Sequence, residues 1–254
     1  MNRLIGKTAI VTGATAGIGF KTAELLAGQG VDVIINGRRK ERLEEIKNDL
    51  ENRFRISVQT APFDIQDADA CSTFIEALSV DIDILVNNAG LAKGTDPVFA
   101  ADFEDWDTMI DTNVKGLLYL SRLISAKMKE QNSGHIINVG SVAGHESYAG
   151  GVVYTATKHA VKAITESTKK DLHGTNVRVS MVSPGLVETE FSEVRFGGDK
   201  EKAASVYKGM QPLTALDIAE IILFVANRPA HVNIMDTIIY PVAQSSATMV
   251  HRND

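Results

Sequence analysis

The chain is poor in cysteine, proline, positive charge and long apolar runs. One cysteine, Cys71, stands in 254 residues. It has no internal disulfide partner, so the fold does not depend on an oxidising compartment. No apolar run approaches the roughly 20 residues of a membrane span, so no membrane partner is expected. The start, Met1-Asn2-Arg3-Leu4-Ile5-Gly6-Lys7, lacks the apolar core of a signal peptide, and the expectation is a cytoplasmic protein. Lys plus Arg number 26 against 32 Asp plus Glu, a net charge of −6. That balance, without a basic block, argues against nucleic acid as a partner. His145-Glu146 has no second histidine four residues on and Cys71 has no cysteine partner, so no metal site is expected.

What is there is an ordinary globular composition, 44% hydrophobic and 23% charged, with 20 glycines. Length over 150 gives roughly 1.7 domains. No composition break, repeat or low-complexity linker divides the chain, so residues 1–254 are read as one domain. Short β-branched runs at 8–12, 31–35, 56–58, 82–86, 135–139, 177–182 and 237–240 read as strands. Helical periods lie between them, including a charged surface helix over 38–52 and a long amphipathic helix over 103–130. This alternation predicts an α/β fold, a parallel sheet with right-handed crossovers and helices on both faces.

The first strand runs into Thr12-Gly13-Ala14-Thr15-Ala16-Gly17-Ile18-Gly19, followed by a helical pattern. A dinucleotide pyrophosphate needs backbone N–H groups, a helix N-terminus and no side chains in the way. Gly13, Gly17 and Gly19 supply these in G-x-x-x-G-x-G spacing, with Thr15, Ala16 and Ile18 beside them. After the second strand stand Asn36-Gly37-Arg38-Arg39, with no acid before Glu41. An acid there would bind the ribose 2′-hydroxyl of NAD, whereas two guanidiniums suit the 2′-phosphate of NADP. The alternative is a pair of exposed charges at a helix start.

Tyr154 and Lys158 lie four apart in a helix over 152–171 and so share a face. A cation beside a phenol lowers its pKa. Ser141 follows the strand at 135–139, at a carboxyl end where open sheets bind ligands. Asn113 interrupts the helix over 103–130, with Gly116 three residues on.

Taken together, Thr12-Gly13-x3-Gly17-Ile18-Gly19, Asn87-Asn88-Ala89-Gly90, Ser141, Tyr154-x3-Lys158 and Pro184-Gly185 resemble the short-chain dehydrogenases/reductases. The likeness spans roughly residues 5 to 242. It implies a single doubly wound Rossmann-type domain with a seven-stranded parallel sheet, a substrate lid over about 186–212 and a tail over 241–254. It further implies a catalytic tetrad. Tyr154 would be the acid and base, Ser141 would hold the substrate oxygen, Lys158 would depress the tyrosine pKa and bond the nicotinamide ribose, and Asn113 would anchor a relay water. Cofactor contacts are implied from Asp64 and Ile65 to adenine, from Asn88 to the adenosine half, and from Pro184, Gly185, Val187 and Thr189 around the nicotinamide.

Within the family the chain is most similar to NADP-dependent 3-hydroxy acid dehydrogenases. Asp105 to Asn113, Tyr148-Ala149-Gly150-Gly151, Asp171 to Thr175, Val187 to Ser192 and Pro229 to Ile234 carry that likeness. The resemblance implies hydroxyl–carbonyl interconversion on serine, allo-threonine or 3-hydroxypropionate/malonic semialdehyde, by a homotetramer. An acid substrate needs a cation, and Arg195 in the lid is the candidate, with a solvated loop arginine as the alternative. Reduction of 3-ketoacyl thioesters, sugars or simple ketones by the same tetrad is the competing enzymatic reading. A silent dinucleotide-binding protein is the competing non-enzymatic one.

Overall fold

The computed structural model describes residues 2–253. Seven strands form one sheet: β1 (Thr8–Val11), β2 (Asp32–Asn36), β3 (Val58–Ala61), β4 (Ile84–Asn87), β5 (Gly134–Val139), β6 (Val177–Pro184) and β9 (Asp236–Ile239). Their order is β3-β2-β1-β4-β5-β6-β9, and every pairing is parallel. Two short strands, β7 (Val187–Glu188) and β8 (Leu213–Thr214), pair separately.

Successive strand side chains point to opposite faces, and both faces are apolar here. Ala9, Val11, Val33, Ile35, Ile84, Val86, Ile137 and Val139 face one layer, with α1 (Gly17–Gly28), α2 (Lys40–Phe54) and α9 (Ala215–Ala226). Ile10, Ile34, Leu85 and Ile136 face the other, with α3 (Ala68–Glu76) and α5 (Leu117–Gln131). The continuous β-branched runs of the sequence are the signature of this double coverage.

The chain winds outward from β1 to β3, then returns to place β4 on the other side of β1. That reversal leaves a crevice at the carboxyl ends of β1 and β4, where ligands bind in such sheets. The loops opening there are the glycine run and the segment from Asn88.

Two expectations need adjustment. The third strand is Val58–Ala61 rather than 56–58, because its register with β2 runs from Val33↔Val58 to Asn36↔Ala61. The long helix over 103–130 is broken: α4 (Phe103–Ile110) passes through a π-helical turn, Asp111–Gly116, into α5. Asn113 sits in that turn. Gly116, at its end, leaves room for Ile65, since a Cβ there would lie 2.7 Å from Ile65 Cδ1. The lid region is also structured, holding α7 (Glu190–Arg195) and α8 (Lys200–Ser205) between β7 and β8.

Candidate active site

The crevice is a cleft of about 540 Å³ at the sheet's switch point. Its floor is the glycine loop. Gly13 has φ +64° and Gly17 φ +52°, both left-handed, and a Cβ on Gly13 would lie 2.9 Å from Ala89 Cα. Any side chain at Gly19 would run into the Gly13 carbonyl and the Asn88 amide. The N-cap of α1, Ala16, provides no side-chain hydrogen bond, and the first turn of α1 carries no acid. Its N–H groups and positive dipole end therefore face the cleft without competition.

Asn88 and Thr12 hold this loop in place. Asn88 Nδ2 donates to Thr12 O at 2.8 Å, and Thr12 Oγ1 accepts from the Asn88 and Ala89 N–H groups at 3.0 and 2.9 Å. Thr12 entered the sequence reading as the end of a strand and the first residue of the glycine motif, with no role of its own.

At the far rim stand the two arginines. Arg38 lies 3.5 Å from Asp64, with its side chain 68% exposed. Arg39 donates to Thr15 Oγ1 at 2.9 Å and pairs with Glu190 of α7 at 3.1 Å. Both guanidiniums border the cleft, as do Thr15, Ala16, Ile18, Asp64 and Ile65.

At the inner end, β5 delivers Ser141 and α6 (Val152–Asp171) delivers Tyr154 and Lys158. Ser141 caps a 3₁₀ turn, accepting from Ala143 N at 3.1 Å, and donates to Pro184 O at 3.4 Å. Tyr154 and Lys158 are 8% and 6% exposed. Lys158 Nζ donates to Val139 O at 2.9 Å and lies 6.0 Å from the Tyr154 ring centroid. Pro184, Gly185, Val187 and Thr189 form the adjoining wall.

Burial dominates the titration of both groups. It pushes the Tyr154 phenol up to about 12, with Tyr148 adding to the rise and Ser141 and Arg195 opposing it. It pulls the Lys158 ammonium down to about 8. Lys158 is committed to a backbone carbonyl, and the cation that opposes the rise of the phenol is Arg195.

Asn113 lies behind the cleft rather than on it, 1% exposed. Its Oδ1 accepts from Leu91 N at 2.8 Å, and its Nδ2 donates to Leu91 O at 2.8 Å and Thr157 Oγ1 at 3.1 Å. Thr157 in turn donates to Tyr154 O at 2.8 Å. Both polar side-chain atoms are thus engaged in joining the loop after β4 to α6. Thr157 was missed because a threonine inside a helical pattern reads as neutral.

Arg195, at the end of α7, reaches back over the site. Its Cζ lies 5.3 Å from the Tyr154 ring centroid. Its Nη2 donates to the Tyr148 hydroxyl at 2.8 Å and its Nε to Gly94 O at 3.3 Å. No carboxylate pairs with it among the described residues. Gly19 and Asn113 apart, every residue expected at the site lines this one cleft.

A family model for short chain dehydrogenase matches residues 7–198. The chain belongs to the short-chain dehydrogenase family. It is 46% identical over 256 residues to an NADP-dependent 3-hydroxy acid dehydrogenase of Schizosaccharomyces pombe, covering 99% of each chain. It is 48% identical over 248 residues to the NADP-dependent 3-hydroxy acid dehydrogenase YdfG of Escherichia coli K12, covering 96% of this chain and 98% of that one. Among solved structures, a closed form of serine dehydrogenase complexed with NADP+ superposes with a TM-score of 0.90 at 47% identity. That match covers 97% of this chain and 100% of the other.

Proposed function

We propose that the protein is an NADP(H)-dependent oxidoreductase that interconverts the hydroxyl and carbonyl of small 3-hydroxy acids such as serine, allo-threonine and 3-hydroxypropionate. The observation that carries this reading is Arg195, a half-buried cation without a counter-charge among the described residues, 5.3 Å from the ring of Tyr154. Buried charges are costly unless paired, so a cation fixed in this position is completed by an anionic substrate. The relatives at 46% and 48% identity bear the matching name.

The cleft fits a dinucleotide phosphate. The uncapped end of α1 and the space above Gly13 and Gly17 suit a pyrophosphate, and Arg38 with Arg39 suits a 2′-phosphate. Asp64, Ile65 and Asn88 would border the adenosine half, Lys158 the ribose, and Pro184, Gly185, Val187 and Thr189 the nicotinamide. When bound, the nicotinamide supplies or accepts a hydride.

The remaining work belongs to the chain. In reduction, Tyr154 gives its phenolic proton to the oxygen that becomes the hydroxyl; in oxidation it takes that proton back. A phenol held near 12 is fully protonated at neutral pH, which suits the acid role. Ser141 holds the same oxygen by a hydrogen bond, stabilising charge that develops there. Lys158, close to balance between its two forms at pH near 8, accepts or returns protons behind the tyrosine. Asn113 keeps Leu91 and α6 in register, so that these groups stay aimed at one point.

The test is a paired screen of 3-hydroxy acids, ketoacyl thioesters, sugars and simple alcohols with NADP⁺ and NAD⁺, following nicotinamide absorbance. Oxidation of 3-hydroxy acids with NADP⁺ in preference to NAD⁺ is expected. Turnover of thioesters or sugars alone would move the substrate class, and no turnover at all would support the silent binding protein. We further propose a homotetramer assembled through α4, α5 and α6, where Phe103, Leu118 and Val152 remain 74%, 41% and 44% exposed. The reducing cytoplasm suits Cys71, the lone thiol, which is buried.

A further inference from the structure

Arg195 does not stand alone on the lid side of the cleft. Three segments distant in sequence meet there: the end of α7, the loop carrying Tyr148 before α6, and the loop carrying Gly94 after β4. Gly94 N donates to Arg195 O at 2.9 Å while Arg195 Nε donates back to Gly94 O at 3.3 Å. The guanidinium lies 5.8 Å from the Tyr148 ring centroid and gives one Nη2 proton to its hydroxyl. The Tyr148 ring is itself fixed, since it packs so closely on Gly151 that a Cβ there would enter it.

We propose that Tyr148 is a second specificity-determining residue for this reaction, positioning Arg195 and donating its own phenolic proton to the carboxylate that Arg195 binds. This rests on the 3-hydroxy acid reading above. The donor count supports it. Of five guanidinium N–H groups, two are used, by Gly94 and Tyr148. Because Tyr148 oxygen accepts from Arg195, its own hydrogen is free to point elsewhere. The unused Arg195 protons and the Tyr148 proton start from atoms 2.8 Å apart on a wall shared with Tyr154. A carboxylate, planar and accepting at two oxygens, satisfies such a set; an uncharged hydroxymethyl group does not. A 3-hydroxy acid has a single carbon between its carboxylate and the reacting carbon, which matches an anion site beside Tyr154 rather than at the far end of the cleft.

Tyr148→Phe keeps the ring that flanks Arg195 and removes only the hydroxyl. With 3-hydroxypropionate and NADP⁺, KM should rise at least about tenfold while kcat stays within about threefold, as expected for loss of a charge-assisted bond made to bound substrate. The ratio of kcat/KM for 3-hydroxypropionate over propane-1,3-diol should fall by a similar factor. In an Arg195→Met background the same change should cost less than about twofold, because both residues serve one anion. Malonate, which carries carboxylates but no reacting hydroxyl, should raise the Tm of the wild-type protein with NADP⁺ and raise that of Tyr148→Phe less. An unchanged KM, multiplying effects in the double variant, or equal malonate shifts would each overturn the role of Tyr148. If the wild-type protein oxidises no 3-hydroxy acid and malonate leaves its Tm unmoved, the fault lies instead with the substrate class.

Discussion

Lys158 makes the sharpest quantitative prediction, because its function and its contribution to stability pull in opposite directions. The side chain is 6% exposed, and burial lowers its ammonium from an ordinary 10.5 to about 8. Each unit is worth 1.36 kcal/mol, so holding the charged form inside the fold costs about 3 kcal/mol. Between about pH 8 and 10.5 the unfolded chain carries this proton and the folded chain does not. Stability linked to Lys158 therefore rises with pH through that window, and at pH 7 the penalty is almost fully present. Lys158→Met removes the penalty but also the 2.9 Å bond to Val139 O, a loss of about 1–3 kcal/mol that does not vary with pH. Relative to wild type, the variant should thus gain about 2–3 kcal/mol more at pH 7 than at pH 10. Urea unfolding of both proteins at the two pH values measures this double difference, in which other titrating groups cancel. Oxidation of a 3-hydroxy acid should meanwhile fall at least about a hundredfold. A stability gap that is the same at both pH values would refute the burial argument, whatever happened to the activity.

Two further outcomes follow from the cofactor half of the cleft. Gly19→Ala should weaken NADPH binding at least about tenfold in a fluorescence titration, because the added methyl can be housed only by moving the Gly13 carbonyl or the Asn88 amide; an unchanged Kd would remove the glycine loop from the site. Replacing Arg38 and Arg39 together by Gln should lower kcat/KM with NADP⁺ at least about tenfold and leave NAD⁺ turnover within about threefold, which steady-state assays with both cofactors decide.

Much of this was legible from residue order. Alternation of β-branched runs with helical periods announced a parallel sheet covered on both faces, since only a strand buried twice can afford to be apolar at every position, as Ile84–Val86 is. The glycine spacing and the Tyr154–Lys158 interval placed the floor and inner end of the cleft, because both depend on short-range geometry: a turn requiring positive φ, and two side chains one helical turn apart. The broken helix at Asp111–Gly116 was visible only as a weak helix former, Asn113, beside a glycine. Against that segment packs Ile65, which lies 51 positions from Gly116 by subtraction and comes so close that a Cβ on Gly116 would enter it.

By itself, then, the sequence determined the fold class and the family and put forward the candidate reacting groups, since these are encoded in periodicity and in motifs read within a few residues. Only the tertiary structure decided what those groups do to one another. Lys158 turns its charge to Val139 O, Asn113 is occupied with Leu91 and Thr157, and the cation facing Tyr154 comes from a lid helix 41 positions further along. Burial and long-range neighbours set the titration of the two central groups, and neither quantity exists until the chain has folded and water has been excluded.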